Sequence, residues 1–434
     1  TFAMVDEVFR SHDPGVAAKR WRNLLSRLGV PSSSPLTDRL LMRAGALGSR
    51  IFPEFVMKAV ASRMRQESAR VILPGEAGPL HRYLASREAE GFRINLNQLG
   101  EAVLGEEEAK RRLEAMLGHL ADPAVRYLSV KISAIYSQIH LPAWEATLTE
   151  IQTRLRLLYR AATAGAKFVN LDMEEYRDLA LTIAAFRGVL DEPEFRSLSA
   201  GIVLQAYLPD SCAAQQELTE WAKQRVAAGG APIKIRLVKG ANLAMEKVEA
   251  EMHGWNPAPY GSKAETDANF RRLVEYGCHP DNAAAVRLGV ASHNLFDVAL
   301  GLTLREIHGV ADQVEIEMLE GMANHQARAV RDAADGLLLY APAVRREDFL
   351  SAMAYLVRRL DENTAQGNFL RDLFSMRPGS PKWEYQRDRF VEGWKKRHEV
   401  STESRRARIA EPSPGFVNEA DTDWTRADQR EAMA

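Results

Sequence analysis

The feature that most limits what this chain can fold into is an alternation that begins at Phe92. Short β-rich runs, "FRINLNQLG", "RYLSVKISAIY", "KFVNLDMEEY", "GIVLQAYLP", "PIKIRLVKGA", "VRLGVASHN", "VEIEMLEG" and "GLLLYAPAV", follow one another, each separated from the next by enough chain for a helical crossover. Parallel strands need such crossovers, because a tight turn can join only antiparallel neighbours. The intervening stretches, "EEEAKRRLEAMLGHLAD" and "AWEATLTEIQTRLRLLYRAATAG" among them, carry the helical period. Eight such runs predict an α/β fold of the (β/α)8 barrel type, a distorted TIM barrel. A doubly wound sheet also alternates, but the count of eight and the absence of a glycine fingerprint after the first run favour the barrel.

The flanks read differently. To about Pro74 the chain is helical in pattern, with "GVAAKRWRNLLSRLGV" and "PLTDRLLMRAGALGSRIFPEFVMKAVASRMRQES" on either side of a "PSSSP" loop. Beyond about Pro378, "KKRHEVSTESRRARIAEPSPGFVNEADTDWTRADQREAMA" is polar, charged and broken by prolines, which reads as linker or tail. The expected division is an N-terminal helical module over 1–90, a barrel over 91–377 and a C-terminal linker over 378–434.

At 46 % hydrophobic and 26 % charged residues the chain is an ordinary globular one rather than disordered. Its net charge of -1 argues against nucleic-acid binding through overall positive potential. The two cysteines, Cys212 and Cys278, are isolated, so neither a disulfide framework nor a zinc knuckle is expected, and a reducing, cytoplasmic setting fits. No apolar run approaches the ~18 residues of a membrane span. No His/carboxylate spacing points to a metal, and Walker, G-x-S-x-G and dinucleotide motifs are absent.

In a barrel, chemistry sits at the C-terminal strand ends. Polar residues fall there on most runs: Lys131, Asp172 and Glu174, Gln205, Arg236 and Lys239, His293 and Asn294, and Tyr340. Each has a plain structural reading. His293 is explained by a hydrogen bond, Asp172 by helix capping, Lys131 and Lys239 by bridges to carboxylates, and Tyr340 by the core. Together they call for a bound polar ligand, and the cations among them for anionic groups on it, phosphate or carboxylate. After the eighth run, Leu350, Met353, Ala354, Val357 and Leu360 mark a buried helix face, yet Arg358, Arg359 and Glu362 cluster on or beside it. Buried charge is costly unless paired, and arginine grips a carboxylate through two parallel hydrogen bonds. A helix laid across the barrel mouth, its arginines reaching a small acid, answers both points.

The motifs "VKISAIYSQ", "NLDMEEY", "IVLQAYLPDS", "RLVKGA", "ASHN", "LLLYAP" and "YLVRRLDENTAQGNF" closely resemble the proline dehydrogenase family, and more narrowly the proline dehydrogenase half of bifunctional proline utilization A proteins. The match runs from about Gly91 to Leu373. "FVNEADTDWTRADQREA" is similar to the start of an aldehyde dehydrogenase half, so the resemblance implies that half as a partner absent from this sequence. It further implies a barrel that holds FAD non-covalently and oxidises L-proline to 1-pyrroline-5-carboxylate, the first step of proline catabolism to glutamate. Electrons would pass to a membrane quinone, placing the protein at the inner face of a bacterial membrane, with neither metal nor nucleic acid involved. Carried onto this sequence, Lys131, Arg358 and Arg359 would bind the proline carboxylate, and Leu319 and Tyr340 would wall the ring. Arg236 would sit by the reactive flavin nitrogen with Asp172 in the same polar network, so that Asp172, Arg236 and Lys131 form the catalytic set. Met173, Gln205, Arg236, Val238, Lys239, Gly240, Ala241, Thr266, Ser292, His293, Asn294 and Glu362 fall on flavin-contacting positions, and Glu101 pairs with Arg358 as a gate.

These roles agree with the chemistry. Proline's strong handle is its carboxylate, so a paired-arginine clamp with a lysine orients it, and positioning makes hydride transfer effectively intramolecular. The flavin carries the difficult step, and a cation such as Arg236 stabilises the negative charge that develops. Two details depart from the family pattern: Asn242 stands where many relatives have an aromatic residue after "KGA", and Asn97 and Gln98 replace an aspartate-methionine pair. No base for the proline amine is evident, nor is a ribbon-helix-helix DNA-binding segment. The rivals are a Schiff-base lyase using Lys131 or Lys239, and a non-enzymatic role for the arginine pair as an interaction or DNA-contacting surface.

Overall fold

The computed structural model describes residues 4–9, 11, 13–30, 35–69, 71–99, 103, 105–346, 348–349, 352, 355, 357, 359, 368–373, 375–407 and 418–433. Nine strands are present among them: β1 (Leu73–Pro74), β2 (Phe92–Gln98), β3 (Tyr127–Val130), β4 (Phe168–Leu171), β5 (Gly201–Gln205), β6 (Ile233–Val238), β7 (Val286–Ala291), β8 (Val314–Leu319) and β9 (Leu337–Val344). Strands β2 to β8 pair in sequence order, and β9 joins both β8 and β2, which closes an eight-stranded barrel. The pairings along it are parallel, for example Val203 with Arg236, Arg236 with Gly289 and Leu319 with Tyr340. All eight β-rich runs of the sequence are barrel strands, wrapped by helices as expected.

The strands alternate more sharply than parallel strands usually do. Strands covered on both faces normally read as continuous apolar runs. Here the apolar residues, Leu128, Val169, Ile202, Ile235, Leu288 and Ile316, occupy every second position and are buried. The positions between them carry Ser129, Asn170, Lys234, Arg236, Glu315 and Glu317; the first two donate to Asp172, and the four charged ones pair with one another. Successive side chains of a strand point to opposite faces, so the apolar set packs on the helices and the polar set fills the barrel. Glycine makes room for it. A Cβ at Gly289 would collide with the Glu317 carboxylate and come within 2.9 Å of Lys234 Cε.

Two compact units divide the chain: one of Thr1–Leu80, Leu99–Glu101 and Pro342–Arg371, the other of His81–Gln98, Ala102–Ala341 and Asp372–Ala434. In the smaller unit the helix Pro14–Leu28 starts with proline behind an Asp13 cap, whose Oδ1 accepts from Gly15 and Val16 at 2.7 and 2.9 Å. Ala17, Ala18, Trp21 and Leu24 of that helix pack with Val8 and Met57. Two further helices, Leu36–Gly48 and Pro53–Ser68, divide the long helical stretch where Pro53 begins a new one. Strand β1 pairs with the end of β9, Leu73 with Ala343 and Pro74 with Val344.

The polar stretch after Pro378 departs from its reading as a linker. It opens with a fifteen-residue helix, Pro381–Lys395, capped by Ser380. Trp383 of this helix packs tilted against Phe296 and Phe390 stacks on it, with centroids 4.9 and 5.7 Å apart. Fully buried Arg271 lies over the Phe390 ring at 4.5 Å. The charges that made the segment look solvated are anchors. Arg397 pairs bidentately with Glu275 at 2.8 and 2.9 Å, and buried Arg406 meets Asp423 at 2.9 Å.

Candidate active site at the strand ends

The site is built from residues at and just past the ends of β4 and β6. Asp172 is the first residue past β4, and it accepts rather than caps. Its Oδ1 takes hydrogen bonds from Ser129 Oγ at 2.9 Å, Asn170 Nδ2 at 3.1 Å and Arg236 Nη2, and its Oδ2 takes one from the Tyr340 hydroxyl at 2.8 Å. Arg236, buried on β6, also has Nη1 at 3.5 Å from Glu317 Oε2 and lies over the Tyr340 ring at 5.0 Å. Burial by itself would lower the Arg236 guanidinium, but Asp172 first and Glu317 next hold it above its ordinary value. It is permanently cationic. Its Nε and Nη1 have no hydrogen-bond acceptor among the described residues, and neither does the amide oxygen of buried Gln205 have a donor.

Lys131, expected inside the second run, lies just past β3 and leads into the helical turn Ile132–Ile135. Its Nζ is 2.8 Å from Glu174. Lys239 follows β6 on the opposite face from Arg236, as alternation requires, and reaches Asp267 at 2.5 Å and Asp297 at 2.7 Å. Both lysines therefore bridge to carboxylates of the protein itself. Burial opposes the Lys239 charge, but the two aspartates hold it above the usual lysine value. Around those aspartates gather further cations: Lys263 at 3.1 Å and Arg389 at 3.5 Å from Asp267, and Arg271 at 3.0 Å from Asp297. With Lys239 that makes four positive groups around two negative ones.

The remaining candidates divide. Gln205 donates to the Glu174 carbonyl at 3.2 Å, and Asn242 donates to the same oxygen at 2.9 Å. The backbone N–H of Leu319 donates to His293 Nε2 at 2.9 Å, so that nitrogen serves as an acceptor. Asn294 caps the helix Leu295–Ile307 through Phe296 N at 3.0 Å, and Ser292 Oγ accepts from Asn294 N at 3.1 Å. Thr266 lies on the capped helix Lys263–Gly277 and donates to the Ser262 carbonyl at 3.3 Å. Met173 is buried beside Asp172, and the Val238 carbonyl accepts from Ala206 N at 2.8 Å. Gly240 has φ +112, and a Cβ there would come within 2.5 Å of the Tyr207 ring, so only glycine carries the chain past Lys239; Ala241 follows. Tyr340 sits mid-strand, because β9 continues to Val344 in its pairing with β1. In the smaller unit, Arg359 lies over the Tyr355 ring at 5.2 Å. Arg358, Glu362 and Glu101 lie outside the described residues, as does most of the helix expected from Leu350.

The sequence reading missed Ser129, Asn170, Lys234, Glu315 and Glu317. The signal for the three charged ones was present in "IKIR" and "VEIEML", where charge recurs every second residue of a strand covered on both faces.

A closed parallel barrel with a buried Asp–Arg pair joined to a half-buried tyrosine where its strands end has the architecture of a (β/α)8-barrel enzyme. The family model described as proline dehydrogenase matches residues 80–372, and the chain belongs to that family of oxidoreductases. The bifunctional protein PutA of Klebsiella aerogenes is 28 % identical over 304 residues, covering 65 % of this chain and 22 % of that protein. The proline dehydrogenase of Deinococcus radiodurans is 26 % identical, covering 65 % of this chain and 82 % of its own. Among solved structures, proline utilization A from Corynebacterium freiburgense is 42 % identical with a TM-score of 0.76, covering 93 % of this chain and 39 % of its own. That from Bdellovibrio bacteriovorus, inactivated by N-propargylglycine, is 27 % identical with a TM-score of 0.77, covering 99 % and 44 %. The chain thus spans less than half the length of the PutA proteins it matches.

Proposed function

We propose that this chain oxidises L-proline to 1-pyrroline-5-carboxylate with FAD as cofactor and a quinone as final electron acceptor. Family membership supports the reaction, and the residues at the strand ends fit the cofactor in two places. Arg236 keeps two buried nitrogens without a hydrogen-bond acceptor among the described residues, which suits a heteroatom of an isoalloxazine. The surplus of cations around Asp267 and Asp297 suits a diphosphate. Arg236, Gln205, Lys239, Gly240 and Thr266 would hold the FAD, with Met173, Val238, Ala241, Ser292, His293, Asn294 and Glu362 around it. Bound there, FAD supplies the hydride acceptor.

The protein's own residues supply position and charge. Lys131 is the barrel's cation for a substrate carboxylate, joined in this reading by Arg358 and Arg359, with Glu101 gating Arg358. Leu319 and Tyr340 would wall the ring. Asp172 holds the Tyr340 hydroxyl and the Arg236 guanidinium at once, so one carboxylate orients both a wall of the pocket and its principal cation. The Schiff-base alternative loses ground at Lys239. Such a lysine needs a lowered pKa, whereas two aspartates raise this one. Segment 378–434 would lead towards an aldehyde dehydrogenase half.

The observation that carries the reading is the cluster in which buried Asp172 and Arg236 meet half-buried Tyr340. Its test is the visible spectrum of purified protein before and after anaerobic L-proline. Flavin absorbance that bleaches on addition is expected; a colourless protein, or a yellow one that saturating proline leaves unchanged, rejects the reading.

A further inference from the structure

The charges inside the barrel do not end at Asp172 and Arg236. Arg93 of β2 pairs with Glu315 of β8, and Glu315 pairs with Lys234 of β6. Lys234 Nζ is 2.5 Å from Glu317 Oε1, and Glu317 Oε2 is 3.5 Å from Arg236 Nη1. Arg236 then meets Asp172. Six charges of alternating sign run from a 62 % exposed arginine near the start of β2 to the strand ends where the candidate site lies. The central pair is the most deeply buried, with the Lys234 and Glu317 side chains 3 % and 2 % exposed.

Stability is a poor explanation for such a pair. Removing two charges from water costs several kcal/mol each, and well-packed apolar residues often serve as well or better. The geometry offers another explanation. The two oxygens of Glu317 face different cations, Oε1 towards Lys234 and Oε2 towards Arg236. Glu317 therefore offsets part of the positive charge of Arg236, and Lys234 draws that same carboxylate the other way. Inside a water-poor barrel such charges act over several ångströms with little screening.

We propose that Lys234 and Glu317 are positioning residues that set the field Arg236 presents to the bound flavin, and so the electron affinity of the cofactor; this rests on the flavin reading of the site. Neither touches substrate in this role. Taking away the Glu317 charge strengthens the cation at the flavin and favours the reduced, more negative form. Taking away the Lys234 charge does the opposite.

The test compares E317Q, K234M and the double variant with the parent, all FAD-loaded, by midpoint potential against reference dyes and by steady-state kinetics with L-proline. The potential is expected to move positive in E317Q and negative in K234M, and to return close to the parent in the double variant, where the two charge losses cancel. The kinetic change is expected in kcat, with KM for proline held within about twofold. Packing damage alone gives no opposite signs and no return. The proposal is overturned if E317Q binds flavin, is bleached by proline and keeps the parent potential, or if the double variant stays displaced. E317Q decides alone should K234M not fold, since the amide has nearly the shape of the carboxylate. A parent that takes up no flavin instead defeats the flavin reading.

Discussion

Arg236 is the residue on which most of the proposed chemistry converges, and its surroundings say which replacement is informative. Its charge is held by Asp172 and Glu317, so R236M removes the cation while keeping much of the bulk. Flavin reduction by proline is expected to slow by about 10²–10³-fold, the scale of losing one preorganised electrostatic partner, as read by anaerobic stopped-flow. In the proposed site Arg359 belongs to binding instead. If it clamps the carboxylate, R359M raises KM for proline by roughly 10- to 100-fold, the range for a charge-assisted hydrogen bond, with kcat changed far less. Asp178 carries a prediction about stability. Burial first, then the nearby Glu175, Glu174 and Glu246 carboxylates against only Arg177, push its carboxyl up to about 7 from 3.8. The folded protein keeps a proton that the unfolded chain has released, so this group's contribution to stability falls as pH rises from about 4 to about 7, and stays lost above that. D178N removes the liability. Its melting temperature is expected a few degrees above the parent at pH 8 and level with it near pH 4.

At the scale of elements, the helix Lys263–Gly277 and the helix Pro381–Lys395 carry the next expectations. Lys263 stands at the start of the first, and although 44 % of its side chain reaches solvent, partial burial and the charge of Lys239 lower its ammonium to about 8. An ammonium that binds a diphosphate must be charged. FAD affinity is therefore expected to weaken as pH climbs past about 8, and K263Q to flatten that dependence; fluorescence titration of flavin into stripped protein at several pH values measures both. The second helix covers Arg271 and Phe296. A chain cut after residue 378 exposes a buried arginine and an aromatic cluster, each aromatic worth about 1.5–3 kcal/mol of burial, and is expected to lose its cooperative melt or aggregate. These two helices also show how far the sequence could be read. Strong 3.6- and 2-residue periods marked the eight barrel strands and the crossover helices, because each has one face against the core. Helix Pro381–Lys395 was hidden among charges whose partners, Glu275 for Arg397 and Asp423 for Arg406, are distant in sequence or lie beyond a broken stretch. The site divided in the same way. Asp172, Arg236 and Tyr340 stood out by motif, whereas Glu317 and Lys234 look like ordinary strand charges until the barrel closes and turns them inward.

At the largest scale, the barrel has an ionic lining where layers of branched aliphatic residues are more usual, and this has a consequence for its response to acid. The stabilising carboxylates here are those whose protons are easier to remove in the fold than in the unfolded chain. Burial opposes ionisation of Glu315, but Lys234 first and Arg93 next hold its carboxyl below the ordinary 4.5. Lys239 and then Lys263 do the same for Asp267 against its own burial. A depressed folded pKa contributes stability above the unfolded value and loses it as pH falls through the folded one. The fold is therefore expected to hold from neutrality to about pH 4.5 and to fail cooperatively below it, as these acids take up protons and leave Lys234 and Lys239 as buried, unbalanced cations. Urea unfolding of E315Q against the parent isolates one link of the chain. At pH 7 the variant is expected to be less stable by about 1–3 kcal/mol, the cost of leaving a buried charged partner unsatisfied, and the difference is expected to shrink to nothing as the parent's Glu315 protonates. A deficit that stayed constant down to the acid transition would mean that Glu315 acts through packing and not through its charge, and the alternating row of charges would lose its first internal link.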